Sequence, residues 1–115
     1  MSKAYELGLY EKAMPGTLTW KERLEAAKAA GYDYVEISID ATEEKIARLD
    51  MDRESRLELV KTMYETGLPI RTMCVSALTK YAIGSSDEAC CARGMTILEK
   101  SLQLADDLGI RVVMI

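Results

Sequence analysis

The clearest alternation of apolar and polar residues runs through Tyr34–Asp40, which reads YVEISID. Val35, Ile37 and Ile39 fall on one side of an extended chain, so the stretch is predicted to be a β-strand with one buried face. The other side carries Tyr34, Glu36, Ser38 and Asp40. Because parallel strands flanked by helices are normally apolar on both faces, this polar face predicts a polar cavity.

Three further strands are predicted along the chain. They are Leu7–Lys12, Ile70–Ser76 directly after Pro69, and Ile110–Ile115. Helical segments separate all four strands, and this alternation is typical of βαβ units with a parallel sheet.

Capping residues mark where the helices begin. Thr19 with Glu22, and Ser85 with Glu88, form predicted capping boxes, while Asp52 caps a helix between them. A short helix is expected from Thr42 to about Arg48. The apolar positions of the three main helices are Trp20, Leu24 and Ala27, then Leu57, Val60 and Tyr64, then Ile97, Leu98, Leu102 and Ala105.

Each main helix is predicted to end at a glycine, and a strand follows within a few residues. These glycines are Gly31, Gly67 and Gly109. Their spacing matches one unit of a (β/α)₈ barrel. Four strands and three main helices therefore predict an α/β fold, the N-terminal portion of a TIM barrel, as a single partial domain over residues 1–115. Because the last predicted strand runs to Ile115 without a polar tail, we expect a longer protein, truncated here in or after that strand.

Composition narrows the function classes. The net charge is −4, the pI is about 4.9, and the 15 lysines and arginines are scattered, which argues against nucleic acid as a partner. Met1–Glu6 lacks an apolar signal core and no run approaches a membrane span, so a cytoplasmic protein without a membrane partner is expected. Cys74 and the adjacent Cys90 and Cys91 match no disulfide or zinc pattern, and the last two are interpreted as small packing residues.

In (β/α)₈ barrels the active site lies at the C-terminal ends of the strands. The residues that these ends supply as candidate substrate-binding groups are Tyr10, Glu11, Glu36, Ser38, Cys74 and Ser76. Their hydroxyl, carboxyl and thiol groups suit a polyhydroxylated substrate.

Each candidate has a structural alternative. Glu36 is alternatively a carboxylate paired with a lysine or arginine of a neighbouring strand. Glu11 and Lys12 are alternatively solvated loop residues, and the two serines alternatively fill a tight interior. Asp40 is expected to cap the next helix rather than to bind a ligand.

Two more signals are weak. Cys74 is more simply a small buried residue than a nucleophile, since the chain has no histidine to activate it. Ser85 and Ser86 precede a helix and could hold a phosphate, but most such helix starts are empty.

Several stretches resemble the family of L-ribulose-5-phosphate (L-xylulose-5-phosphate) 3-epimerases, which includes hexulose-6-phosphate isomerases. The similarity follows the chain in order: Leu7–Ala13, Val35–Asp40, Arg48–Asp50, Glu65–Gly67, Met73–Ala77, Gly84–Ser85 and Gly109–Val112. It implies a xylose-isomerase-like barrel that epimerises C3 of a ketopentose 5-phosphate. It also implies a divalent metal of the manganese or zinc type, bound by two Glu, one Asp and one His, with the two glutamates exchanging the C3 proton.

The resemblance places all four metal ligands outside this chain, so no residue here is assigned to metal or to catalysis. The chain also departs from the family, with Leu78 and Thr79 where His-Arg is usual and Ala82–Ser85 where a Pro-Leu-Gly-Ser run is usual. Substrate choice and phosphate affinity therefore stay open. The alternative function is a non-catalytic half-barrel or degenerate paralogue that acts in protein association, and open barrel edges predict self-association.

Overall fold

Four parallel strands lie side by side in chain order in the computed structural model, which describes residues 3–115; Met1 and Ser2 lie outside the described residues. The strands are β1 (Gly8–Tyr10), β2 (Tyr34–Ser38), β3 (Ile70–Cys74) and β4 (Val112–Met114), each hydrogen-bonded to the next. This is the arrangement of the first four strands of a (β/α)₈ barrel, so the predicted fold class is confirmed.

Helices fill every connection between the strands. They are α1 (Trp20–Ala29), the single turn α2 (Glu43–Ile46), α3 (Arg53–Thr66), the single turn α4 (Ala77–Lys80) and α5 (Glu88–Leu108). Two 3₁₀ helices, Glu11–Ala13 and Ala47–Asp50, complete the chain. None of the helices in residues 3–115 is long and apolar enough to cross a membrane.

The predicted caps are mostly confirmed. Thr19 and Glu22 form a complete capping box on α1, Thr42 caps α2, and Asp52 caps α3. Gly67 and Gly109 end α3 and α5 with φ of 73°, a left-handed conformation that glycine adopts without steric cost.

The core lies between the sheet and the helices. Val35, Ile37 and Ile39 are fully buried there, as the alternation predicted, together with Met73 of β3 and Leu24 of α1. The ladder between β2 and β3 shifts after Val35, which pairs with Ile70, whereas Glu36 pairs with Thr72. This irregularity places Thr72 and Cys74 on the same inner face of the sheet as Glu36 and Ser38.

The inner face of the sheet is less covered than the outer one. Val112 and Met114 of β4 are 56% and 51% exposed, whereas Val113 between them packs against the core. In a complete barrel this face lines the interior.

All four strands are shorter than predicted. β1 ends at Tyr10 because Glu11 turns into the protein within a 3₁₀ helix, and β3 ends at Cys74 because Ser76 begins the unpredicted turn α4. β4 spans only Val112–Met114. β2 is also shorter than predicted and ends at Ser38.

The predicted apolar face of α3 is wrong at two of its three positions, and only Val60 packs against the core. Leu57 and Tyr64 are 55% and 84% exposed, and the buried positions are Leu59, Met63 and Thr66. Met63 accepts a hydrogen bond from Ile70 N–H through sulfur, and the Thr66 hydroxyl accepts one from Leu68 N–H. These contacts to the entry of β3 select the helix face.

The predicted cap of α5 is also wrong. Asp87, not Ser85, caps the helix by accepting from Ala89 N–H and Cys90 N–H, while Ser85 Oγ accepts from Asp87 N–H. The predicted apolar face of α5 is wrong at Leu102, which is exposed. The buried positions of α5 are Gly94, Ile97, Ser101, Leu104, Ala105 and Leu108. Cys90 and Cys91 are half-buried, and their thiols contact the carbonyls of Lys80 and Ile83.

Candidate functional site

A cluster of polar groups forms where β1, β2 and β3 end. Tyr10 Oη donates a hydrogen bond of 3.0 Å to Ser38 Oγ, and Cys74 lies opposite Ser38 in the sheet. Burial and the neighbouring Cys74 thiol raise the pKa of Tyr10, although the Ser38 bond opposes the shift. The phenol therefore stays protonated at neutral pH and can donate a hydrogen bond.

Glu36 lies on the same inner face, nearer the middle of β2. Its Oε2 accepts a 2.7 Å hydrogen bond from Thr72 Oγ1 of β3, and its side chain is half-buried. No lysine or arginine of residues 3–115 forms an ion pair with it, and Arg71 of β3 pairs with Glu6 instead. The alternative interpretation of Glu36, an ion pair with a lysine or arginine of a neighbouring strand, is therefore wrong for the described residues.

Glu11 is 2% exposed, so the interpretation of this residue as a solvated loop side chain is wrong. Its Oε1 accepts from Ser38 N–H at 2.6 Å and from Arg48, and its Oε2 accepts from Arg48 at 2.9 Å and from Lys45 at 3.2 Å. A carboxylate offers about four acceptor positions. The protein itself therefore occupies the acceptor capacity of Glu11.

These contacts decide the charge state of Glu11. Burial alone raises the pKa of a carboxyl group, but the hydrogen bonds from Arg48 and Ser38 N–H and the charges of Arg48 and Lys45 outweigh it. The pKa of Glu11 is lowered, and the group is ionised at neutral pH.

Lys12 and Asp40 form an ion pair of 2.7 Å at the mouth of the cluster. Asp40 Oδ1 also accepts from Thr42 N–H and Thr42 Oγ1. The prediction that Asp40 caps the next helix is therefore wrong: Thr42 caps α2, and Asp40 supports Thr42. Burial opposes the shift, but the bonds from Lys12 and Thr42 lower the pKa of Asp40 to about 2. Lys12 is accordingly exposed but paired.

Ser76 lies two residues beyond the end of β3 and directly precedes α4. Its backbone carbonyl accepts from Thr79 N–H, and within the described chain its hydroxyl makes no capping bond to the helix. It is half-buried. The structure therefore places Ser76 at the same end of the sheet as the cluster but outside its hydrogen-bond network.

Sequence reasoning missed three residues that contact the cluster: Lys45, Arg48 and Thr72. Thr72 was detectable, because it alternates with Cys74 in the predicted third strand and so shares its face. Lys45 and Arg48 were not detectable, since no local pattern indicates that cationic side chains of the segment after β2 contact the end of β1.

The resemblance places the ligands of its divalent metal outside this chain. No three His, Cys, Asp or Glu side chains of residues 3–115 come together closely enough to hold an ion. No step of a reaction is therefore assigned to a metal held by these residues.

A separate groove of about 510 Å³ opens between α3 and α5, at the end of the sheet where β3 begins. Tyr64, Pro69, Asp106 and Gly109 are among its lining residues. It lies at the opposite end of the strands from the polar cluster, and none of the candidate residues lines it.

Comparison with known proteins defines the family. Residues 24–115 match the model of the xylose isomerase-like TIM barrel. The chain belongs to this family. It is 48% identical over 113 residues to L-ribulose-5-phosphate 3-epimerase UlaE of Escherichia coli O139:H28 and to the protein of the same name from Shigella boydii serotype 18. Each match covers 98% of this chain and 40% of the relative.

Solved structures agree on the fold. The crystal structure of D-psicose 3-epimerase in the presence of D-fructose superimposes with a TM-score of 0.75 at 17% identity, over 95% of this chain and 36% of that one. Apo 3-keto-D-glucoside 4-epimerase YcjR from E. coli gives 0.67 at 22% identity, over 94% of this chain and 36% of that one. This chain therefore spans well under half the length of the relatives it matches.

Proposed function

We propose that this chain is the N-terminal part of a sugar-phosphate epimerase that interconverts L-ribulose 5-phosphate and L-xylulose 5-phosphate at C3. The observation that carries the proposal is the 48% identity to UlaE over nearly the whole chain, combined with a polar inner face at the strand ends. In this proposal the metal and the residues that exchange the proton belong to the remaining strands of the barrel.

The share of this chain in the reaction is to bind the sugar. Tyr10 and Cys74 offer a hydroxyl and a thiol group, and Ser76 lies beyond them at the same end. Ser38, predicted as a substrate-binding residue, is fully buried and acts in this proposal by holding the Tyr10 hydroxyl. Glu36 has acceptor capacity left over after its single bond from Thr72, which suits a sugar hydroxyl. Glu11 contributes indirectly, because it holds Ser38, Arg48 and Lys45 in place through hydrogen bonds.

The experiment compares the chain alone with a complete barrel, made by joining residues 1–115 to the remainder of E. coli UlaE. Each is supplied with L-xylulose 5-phosphate and manganese or zinc in deuterated water, and exchange at C3 is followed. We expect exchange by the complete barrel and none by the chain alone above a metal-only control. A complete barrel that folds but does not exchange C3 would contradict the function.

The alternative, a non-catalytic half-barrel that acts in protein association, is favoured by the open sheet. β1 and β4 are its edges within the described residues, and Val112, Met114 and Ile115 are largely exposed at one of them. Unpaired edges template association with another chain. We therefore propose that the isolated chain self-associates through these edges. We also propose that the protein is cytoplasmic.

Sedimentation of the isolated chain at micromolar concentration tests this association. We expect a dimer or larger species, and Met114→Lys, which places a charge at an exposed position of the edge strand, is expected to weaken the association. A monodisperse monomer at every concentration would contradict association through the edges.

A further inference from the structure

We propose that Glu11 and Arg48 are positioning residues that clamp the Ser38 peptide and thereby fix, through Ser38, the Tyr10 hydroxyl that meets the sugar. The mechanical part of this inference rests on geometry alone. Its effect on turnover rests on the proposed function.

The clamp takes hold of both backbone polar groups of one residue. Ser38 N–H donates to Glu11 Oε1 at 2.6 Å, and the Ser38 carbonyl accepts from Arg48 Nη1 at 2.9 Å. Arg48 also bonds both oxygens of Glu11, so the two side chains and the peptide form one closed ring of contacts. A planar guanidinium can make these bonds at once, whereas an ammonium cannot.

Ser38 needs such support because it is the last residue of β2. Its Oγ accepts the hydrogen bond of Tyr10, the last residue of β1, so the direction of the phenol depends on where the Ser38 peptide lies. Ser38 is fully buried, which leaves no solvent to replace a lost partner. Movement of this peptide therefore displaces both hydroxyl groups together.

Arg48 is itself fixed from a second side. Its guanidinium carbon lies 5.2 Å from the centre of the Trp20 ring, and Trp20 begins α1. Lys45 adds a third cation contact to Glu11 at 3.2 Å. The clamp thus ties the start of α1 and the segment after β2 to the ends of β1 and β2.

The test uses Arg48→Lys, which keeps the charge but removes the fork, in the complete barrel. Arg56→Lys is the matched control, because both arginine side chains are 13% exposed and each makes three hydrogen bonds to backbone carbonyls and a carboxylate. Arg56 bonds two carbonyls and one carboxylate oxygen, away from the cluster. Glu11→Gln is the second variant. Amide hydrogen exchange is measured at Ser38 and at Val35, and kcat and KM are measured separately.

We expect Arg48→Lys to speed exchange at Ser38 by about tenfold, with Val35 unchanged, whereas Arg56→Lys leaves both amides as they were. Unchanged exchange at Ser38 in both Arg48→Lys and Glu11→Gln would overturn the clamp. Hydrogen exchange does not require activity, so this result is independent of whether the proposed function is correct.

For turnover, Arg48→Lys is expected to lower kcat by about tenfold and to change KM less, and Arg56→Lys to leave kcat within about twofold. In a Ser38→Ala background, where the hydroxyl that the clamp orients is missing, Arg48→Lys should cost at most about threefold more. An equal loss in both backgrounds would show that Arg48 acts independently of Ser38 and would overturn the positioning role.

Discussion

Glu11 and Glu36 are two carboxylates at neighbouring strands with opposite surroundings. Glu11 is buried and accepts four hydrogen bonds, three of them from cations. Glu36 is half-buried and accepts one bond, from the neutral hydroxyl of Thr72. Both were predicted to meet substrate from their positions at strand ends, yet only Glu36 faces the interior with acceptor capacity to spare.

The difference shows that a strand end by itself does not make a carboxylate a ligand. A buried carboxylate whose partners are all supplied by the protein contributes to stability and geometry, whereas a carboxylate with a single neutral partner on a cavity face is available to a substrate. Mutation of the two residues should therefore separate stability from activity.

The largest effect is expected from Glu11→Ala. Removing this carboxylate leaves Arg48 and Lys45, whose side chains are 13% and 14% exposed, without their partner. Breaking a buried ion pair from one side typically costs about 3 kcal/mol in the free energy of unfolding. Urea denaturation of the complete barrel measures it.

Glu65→Ala is the control for that variant. Glu65 makes an exposed pair with Lys61 at 3.8 Å on α3, so its removal should cost less than about 0.5 kcal/mol. Equal costs for the two variants would remove the distinction between the buried and the exposed carboxylate.

A second effect is the pH dependence of Glu11→Gln. At neutral pH we expect this variant to be about 2 kcal/mol less stable, because charge-assisted bonds become neutral ones. The folded-state pKa of Glu11 is lowered below its ordinary value of 4.5, so its contribution is present above that value and is lost as pH falls through the folded pKa. The difference from wild type should therefore shrink in acid.

Stability curves of the two proteins between neutral and acidic pH provide the measurement. Asp40, whose pKa is about 2, also loses its contribution in acid, but it is present in both proteins and cancels from the difference. A difference that stays constant down to pH values well below 4.5 would mean that the ion pair does not depend on the charge of Glu11.

Glu36→Gln should have the smallest energetic effect and the clearest functional one. The amide oxygen still accepts from Thr72, so stability should change little, whereas kcat/KM of the complete barrel should fall by at least about tenfold, or about 1.4 kcal/mol. Wild-type kinetics in this variant would show that Glu36 has only a structural role.

The sequence predicted the fold well because the order of strands, helices and glycine terminators is encoded locally. Thr19, Thr42, Asp52 and Gly67 act where they were expected to act. The site was predicted only in outline. Alternation placed Glu36 and Ser38 on the inner face, but the partners of Glu11 lie more than thirty residues away in sequence, and no local pattern encodes them.

The helix faces show the same limit. Helix α3 offers two apolar stripes, and the sequence alone favoured Leu57 with Tyr64. The choice depends on contacts between Met63 or Thr66 and the segment leading into β3, which appear only when the strand is in place. In α5 the predicted core position Leu102 is exposed, whereas its neighbour Ser101 is buried.

The order of the strands in space repeats their order in the chain, β1-β2-β3-β4. Each strand after β1 therefore pairs with the strand that precedes it in the chain, an order that allows the sheet to grow by addition at a single edge as the chain is synthesised. No pairing has to wait for a distant segment, so the entropic cost of closing loops is limited to one helix-containing connection at a time. The backbone edge of β4, the last of the described strands in this order, is in this sense the growing front of the sheet, the edge at which a further strand would add.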